Sequence, residues 1–278
     1  MRFSVLGSGS RGNATLVEVG ETRLLVDAGF SARDLARRLD RLSVDPETVD
    51  GIVVTHDHGD HTRGIGVFAR RFGTPIWLTD GTREACASLL RGEEVVHPYR
   101  PGHPFHVGAI RVEPFLTVHD AVDPVGVAVA DPEQNLRLGI ATDLGRPTTG
   151  IRLALSDCDG LVLEANHDEG LLQEAPYPWS VKARIRSSHG HLSNHAAARF
   201  ACELHHEHLT TIVLAHLSAE SNRPSLAHEV VSAALDREGF EGTVTVADQD
   251  EPTPWFDLAI RRSHAGPGQF TLFHSDNG

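Results

Sequence analysis

The segment Thr55-His56-Asp57-His58-Gly59-Asp60-His61 places four residues of metal-ligand type within six positions, in the pattern H-x-H-x-D-H. It follows Gly51-Ile52-Val53-Val54, whose composition is that of a short strand buried on both faces. Alternate residues at the end of a rigid strand point to one side, so His56 and His58 converge on one ion, while Asp60 and His61 on the following turn reach a second. Three more ligand-type residues stand where apolar runs end: His119 in TVHDAVDP, Asp143 in IATDLG and His216 in LAHLS. Singly, each reads as an ordinary loop residue. With the first motif they read as one histidine and carboxylate centre. Such a donor set, without cysteine, suits two divalent ions, Zn²⁺ or Mn²⁺. Two cations about 3.5–4 Å apart can hold a hydroxide between them and stabilise both the attacking and the leaving oxygen of an in-line displacement, which suits phosphodiester hydrolysis.

A second chemistry-bearing stretch, Val181-Lys-Ala-Arg-Ile-Arg186-Ser-Ser-His-Gly-His191-Leu-Ser-Asn194, sets three cations beside hydroxyls and histidines just before a helix start. Lys182, Arg184, Arg186, Ser193 and Asn194 there are candidates for phosphate contact; the competing reading is a solvated basic loop. His191 and His195 have the i, i+4 spacing of a helical metal pair, and His205, His206 and His208 read as helix-end residues. GSGSRGN runs between two strands without the G-K-[ST] ending of a phosphate cradle, so it reads as a tight turn, with Arg11 and Asn13 candidates to line a groove. Asn166 and His167 are further groove candidates, or loop caps. Asp27, in LLVDAG, is either a turn aspartate or a residue that orients a metal loop.

These residues need elements to carry them. Alternating apolar runs at 3–6, 15–19 and 24–26 read as a β-meander. Ser31, with Asp34 three residues on, opens a helix whose apolar residues Leu35, Ala36, Leu39 and Leu42 keep helical spacing. Strands follow at 51–55, 76–78, 110–118, 125–130, 136–141, 160–164 and 211–215, and helices at about 62–72, 82–90, 194–207 and 225–237. Strands and helices are mixed throughout, which implies an α/β (α+β mixed) protein of two mixed sheets packed face to face and flanked by helices.

The chain has 278 residues, 40% of them hydrophobic, enough for a substantial core. No composition break appears before the polar end, so one domain is expected over residues 1–262, followed by a polar tail at 263–278. A formal net charge of −13 excludes a protein that coats nucleic acid by bulk electrostatics, so any nucleic-acid contact is local. Apolar runs near 20 residues are absent, as is a basic-then-apolar leader, and the expectation is a cytoplasmic protein without membrane contact. Cys86, Cys158 and Cys202 stand far apart and read as buried thiols. No protein partner is identifiable.

The spacing of these motifs resembles the metallo-β-lactamase superfamily over nearly the whole chain. More narrowly, MRFSVLGSGSRGNATLVE, LLVDAGFS, VVTHDHGDH, GIATDLG, GHLSN and LAHLSAESNRP resemble the bacterial family of YycJ-like (WalJ-like) hydrolases. The resemblance implies an αββα four-layer sandwich, with His56, His58 and His119 on a first metal, Asp60, His61 and His216 on a second, and Asp143 bridging. It implies that Asp27 lies beneath the metal loop and orients it, and that His191 contacts the scissile phosphate or protonates the leaving 3′-oxygen; in the mechanism that follows, Asp60 accepts the proton of the attacking water. The implied activity is 5′-to-3′ exonuclease action on double-stranded DNA. Two alternatives stay open. A small-molecule hydrolase (cyclic phosphodiesterase, thioesterase or lactonase) suits the acidic charge, which repels polyanions at long range. A metal-bearing binding protein without turnover does not explain a two-metal ligand set.

Overall fold

A computed structural model describes residues 1–264. Its first six strands, β1 (Arg2–Gly7), β2 (Ala14–Val19), β3 (Thr22–Val26), β4 (Gly51–Val53), β5 (Ile76–Leu78) and β6 (Val96–Pro98), lie side by side in chain order. The next seven, β7 (Phe105–Val107), β8 (Ile110–Leu116), β9 (Val125–Asp131), β10 (Leu136–Ala141), β11 (Gly160–Glu164), β12 (Thr211–Ala215) and β13 (Thr243–Val246), form a second sheet, again in chain order. A last short strand, β14 (Phe256–Asp257), returns to the first sheet beside β1.

The inner faces meet in one apolar layer that includes Phe3, Val17, Val53, Val112, Val127, Leu138, Val162 and Val213. The outer face of the first sheet is covered by α1 (Ala32–Arg41) and α3 (Ile65–Phe72), which bury Leu35, Leu39, Ile65 and Phe68. On the second sheet α5 (Thr149–Leu155), α8 (Asn194–Leu204) and α9 (Pro224–Arg237) bury Ile151, Phe200, Ala227 and Val231. Each sheet is therefore apolar on both faces, which makes the molecule the αββα sandwich the sequence implied. No helix among the described residues is long and apolar enough to cross a membrane.

Local signals explain several boundaries. Ser31 caps α1 by accepting the Asp34 N–H at 3.2 Å, as the sequence required. The helix expected at 62–72 is two helices, α2 (Gly59–Thr62) and α3, separated at Arg63-Gly64. The break has a packing cause: Gly64 sits under Phe30, where a Cβ would come within 2.2 Å of the Phe30 carbonyl oxygen, and its N–H reaches the Ala28 carbonyl at 2.8 Å. The helix expected at 82–90 is shortened to α4 (Asp80–Ala85) followed by a 3₁₀ turn at Ala87–Leu89. The supposed basic loop at 181–186 belongs to a helix, α7 (Trp179–Arg186), which follows the short α6 (Glu169–Glu174). It buries no residue, so no apolar stripe marked it in the sequence. The short strands β6, β7, β13 and β14 are the outermost members of their sheets and run for only two to four residues, too few for an alternating pattern to stand out in the sequence. Of the tail expected at 263–278, residues 263–264 end α10 (Leu258–His264), and 265–278 lie outside the described residues.

The loop after β4 is fastened to the meander through backbone. Ala28 N–H donates to the His61 carbonyl at 2.8 Å, Asn13 N–H to the Asp60 carbonyl at 2.8 Å, and Gly29 N–H to the Asn13 carbonyl at 3.0 Å. This requires close approach, since a Cβ on Gly29 would fall 1.6 Å from the Asp60 carbonyl oxygen. Gly29→Ala is expected to destabilise the protein by about 1–3 kcal/mol through overpacking and to reduce its metal content. Gly59→Ala, whose Cβ would meet open space, should leave both nearly unchanged. Thermal unfolding and metal analysis of the two variants check this, and equal behaviour would contradict it.

Candidate metal centre

β3 and β4 run parallel, as do β10, β11 and β12, and β8 runs parallel to β10 through their shared antiparallel neighbour β9. Their C-terminal ends therefore gather at one edge of the sandwich. From them emerge Asp27 after β3, the His56–His61 loop after β4, His119 after β8, Asp143 after β10, Glu164 at the end of β11 and His216 after β12. Asp27, Asp143 and His216 all adopt left-handed backbone, with φ of 64°, 57° and 56°. Side chains rarely take this conformation, and each instance costs on the order of 1–3 kcal/mol. Three in one cluster show that the strand ends are bent to aim these side chains inward.

The histidines are oriented through one ring nitrogen, leaving the other for the centre. Thr55 Oγ1 donates to Asp27 Oδ2 at 2.8 Å, so the 3.0 Å contact between His56 Nδ1 and Thr55 Oγ1 has the imidazole as donor. His56 Nε2 is then a bare, buried lone pair, and it has no hydrogen-bond partner. His61 Nδ1 donates to Asp27 Oδ2 at 2.7 Å, His119 Nδ1 to the Gly190 carbonyl at 3.1 Å, and His216 Nδ1 to Glu164 Oε1 at 3.0 Å. Their Nε2 atoms face carboxylates or another ring: His61 lies 3.1 Å from Asp143 Oδ2, His216 lies 3.3 Å from Asp60 Oδ2, and His119 lies 3.4 Å from His58 Nδ1.

Three sets of donor atoms result, each within 4.8 Å of one another: His56, His58, His119 and Asp143; Asp60, His61 and His216; and Asp143, Glu164, His191 and His216, the last closed by the hydrogen bonds that His191 and His216 make to Glu164. Asp143 touches the first two sets as well, with Oδ1 3.5 Å from His119 Nε2 and Oδ2 3.1 Å from His61 Nε2, and Oδ2 is buried without a hydrogen bond. An orphaned imidazole nitrogen and an orphaned carboxylate oxygen pointing into one cluster are what cation ligands look like when only protein atoms are considered. The residues present fit two divalent ions.

Charge supports the same fit. Burial opposes ionisation of Asp143, Asp60 and Glu164, but the surrounding histidines outweigh it. His216 and His61 hold Asp143 and Asp60 well below the carboxylate range, and His191 holds Glu164 down to about 2. Burial likewise lowers the imidazole pKa values, and it prevails at His56, next to His61. At His61 and His216 the carboxylates win: Asp143 and Asp27 raise His61 well above its ordinary value, and Asp143, Asp60 and Glu164 push His216 up to about 10. Without cations, then, the cluster draws protons to balance its carboxylates; cations take the place of those protons.

Glu164 was not singled out in the sequence. Fully buried, it accepts bonds from His191 Nδ1 at 2.7 Å, His216 Nδ1 at 3.0 Å, and the N–H groups of Leu192, Leu144 and Asp143 at 2.9, 3.0 and 3.2 Å. The signal was an acid closing the apolar run Leu161-Val162-Leu163, the same strand-end position as Asp143 and His216. Asn13, only a groove candidate in the sequence, has Nδ2 3.1 Å from His61 Nε2 and 3.2 Å from Asp60 Oδ2.

The expected phosphate-contact residues separate. His191 and Arg184 line the same cavity of about 280 Å³ as His58, Asp60, Asp143 and His216. Arg184 is ion-paired with Asp120 at 2.9 Å. Arg186 and Ser193 line a neighbouring cavity. Lys182 is turned away, with Nζ donating to the Gln173 carbonyl at 2.7 Å. Asn194 is a correction: it is fully buried and exchanges side-chain hydrogen bonds with Asn222 at 2.9 Å in both directions, so it cannot reach a ligand. His195 does not join His191 but lines a groove between α8 and α9. Arg11 pairs with Asp250 at 2.7 Å in the open.

Comparison with known proteins agrees with this geometry. The model of the beta-lactamase superfamily domain matches residues 22–217. The exodeoxyribonuclease YycJ of Bacillus anthracis is 35% identical over 86% of this chain and 91% of its own length. The exodeoxyribonuclease WalJ of Streptococcus pneumoniae is 34% identical over 82% of this chain and 85% of its own. Among solved structures, the metallo-beta-lactamase fold protein YhfI from Bacillus subtilis superposes with a TM-score of 0.69 at 19% identity, over 91% of this chain and 98% of that one.

Asp27→Asn keeps the size of the side chain but puts an amide against donors from Thr55 and His61. Metal affinity is expected to fall about 10- to 100-fold, the usual cost of losing an orienting partner, read by competition titration with a chromogenic chelator. Unaltered affinity would show that Asp27 does not orient His61.

Proposed function

The chain belongs to the beta-lactamase superfamily, as a metal-dependent hydrolase of the family that contains YycJ and WalJ, and on that premise we propose that it is an exodeoxyribonuclease that degrades double-stranded DNA in the 5′-to-3′ direction. The observation that carries the reading is the placement of His191. Its Nδ1 is committed to Glu164 at 2.7 Å, which turns Nε2 to the cavity shared with Asp60, Asp143 and His216. Neighbouring ring centroids lie 5.1 Å away at His119 and 5.2 Å away at His216. A proton donor thus stands beside the two sets proposed to hold the ions, tied by Glu164 into the third set with Asp143 and His216.

In this reading His56, His58 and His119 would hold one ion and Asp60, His61 and His216 the other, with Asp143 placed between the two sets, the ions being Zn²⁺ or Mn²⁺. Two such ions would supply a nucleophile at neutral pH and offset the charge of the phosphate. Asp60 faces the cavity with part of its carboxylate exposed. Its low pKa makes it an acceptor that orients the attacking water. As the P–O3′ bond breaks, His191 gives its proton to the 3′-oxygen of the departing nucleotide. Burial lowers the His191 pKa, but Glu164 outweighs it and raises the value above the ordinary one, which keeps the proton available. Arg184 lines the cavity, and a phosphate there would compete with Asp120 for its guanidinium. A DNA substrate implies the cytoplasm as the compartment.

Metal-loaded protein should release nucleotides stepwise from end-labelled duplex DNA. Chelator or Asp60→Ala should abolish release, and His191→Ala should slow it about 10²- to 10⁴-fold, the typical contribution of a positioned acid or base. Substrate affinity should fall steeply with salt, because only a polyanion releases many counterions on binding. No cleavage by protein shown to contain metal would overturn the nuclease reading in favour of a small-molecule hydrolase.

A further inference from the structure

Behind His191 lies a second cavity of about 540 Å³, walled by Gly145, His167, Glu169, Arg186, His191 and Ser193. His191 is common to both cavities, so they adjoin across the residue proposed to protonate the leaving oxygen. His167 is 2% exposed, and its Nδ1 has no hydrogen-bond partner, although buried polar groups are almost always paired. Burial holds its pKa down to about 4, so the ring brings an unpaired polar atom and no charge. Charge comes from Arg186 and from the N-terminus of α8, capped by Ser193, whose hydroxyl accepts the Ala196 N–H at 3.2 Å. The wall also contains an acid, Glu169, whose Oε1 accepts the Ser193 hydroxyl at 2.9 Å.

We propose that this second cavity is a subsite for the phosphate one nucleotide away from the scissile bond, on the side of the leaving 3′-oxygen. The inference rests on the nuclease reading and deepens it. A strand whose scissile phosphate lies over the ligand cluster directs its 3′-oxygen at His191, and the departing nucleotide continues past that ring into the second cavity. Its own 5′ substituent is then recognised by Arg186, His167 and the start of α8. For an end-acting enzyme this substituent is the terminal 5′-phosphate, and for cleavage further in it is the next internal diester. Glu169 weakens the site for a dianion.

The test compares 3′-labelled duplexes bearing 5′-phosphate or 5′-hydroxyl ends, in binding to chelator-treated full-length protein and in degradation by the metal-loaded protein. The phosphorylated end is expected to bind and to react about 10-fold better. The ratio should fall toward one in Arg186→Ala and His167→Ala and rise in Glu169→Gln; being internal to each variant, it does not depend on how much of that variant folds. Mononucleotide products with this preference identify the terminal phosphate as occupant. Dinucleotide release from 5′-hydroxyl ends identifies the internal one. Mononucleotide release at equal rates from both ends, with ratios unmoved by the variants, overturns the subsite while leaving the nuclease intact. No cleavage of any DNA removes the nuclease reading and the subsite with it.

Discussion

Two carboxylates buried at strand ends, Asp27 in the first sheet and Glu164 in the second, are met by hydrogen-bond donors, and the centre is built around that demand. An uncompensated buried carboxylate costs several kcal/mol or more, so the chain around Asp27 and Glu164 is arranged to supply donors. Asp27, at the end of β3, gathers the Thr55 N–H, the Thr55 hydroxyl and His61. Glu164, at the end of β11, gathers three backbone N–H groups with His191 and His216. Asp27 fixes His61 and, through Thr55, His56; Glu164 fixes His216, His191 and the backbone of Asp143, while His119 is held by the Gly190 carbonyl. The left-handed backbone at Asp27, Asp143 and His216 is the strain these bonds sustain.

Function follows from the same division. A histidine committed at Nδ1 has one tautomer and one direction for its Nε2, so the cluster is organised before any ion arrives. His191 obeys the rule at Glu164, which turns its Nε2 to the cavity it lines with Asp60 and His216, and the proposal gives it the part of proton donor on that ground.

What the sequence revealed was what is local. His56, His58, Asp60 and His61 announce themselves by spacing, and His119, Asp143 and His216 by following apolar strands. The sandwich was legible because its central strands are apolar on both faces. Glu164 and Asn13 were missed because their partners lie far away in the chain: Asn13 meets His61 across 48 residues and Glu164 meets His216 across 52. Asn194 was misread because nothing local shows that its amide is matched by Asn222. No helix was expected over the basic segment because α7 buries nothing, so its helicity left no periodic trace.

The direct measurement is the number of metal ions retained per chain, by native mass spectrometry of the full-length protein loaded with Zn²⁺ or Mn²⁺, beside an Asp143→Ala variant. Two donor sets joined by Asp143 require two ions in the wild-type chain and at most one held tightly in the variant. Saturation of the wild-type chain at a single ion, or none, would contradict a dinuclear centre.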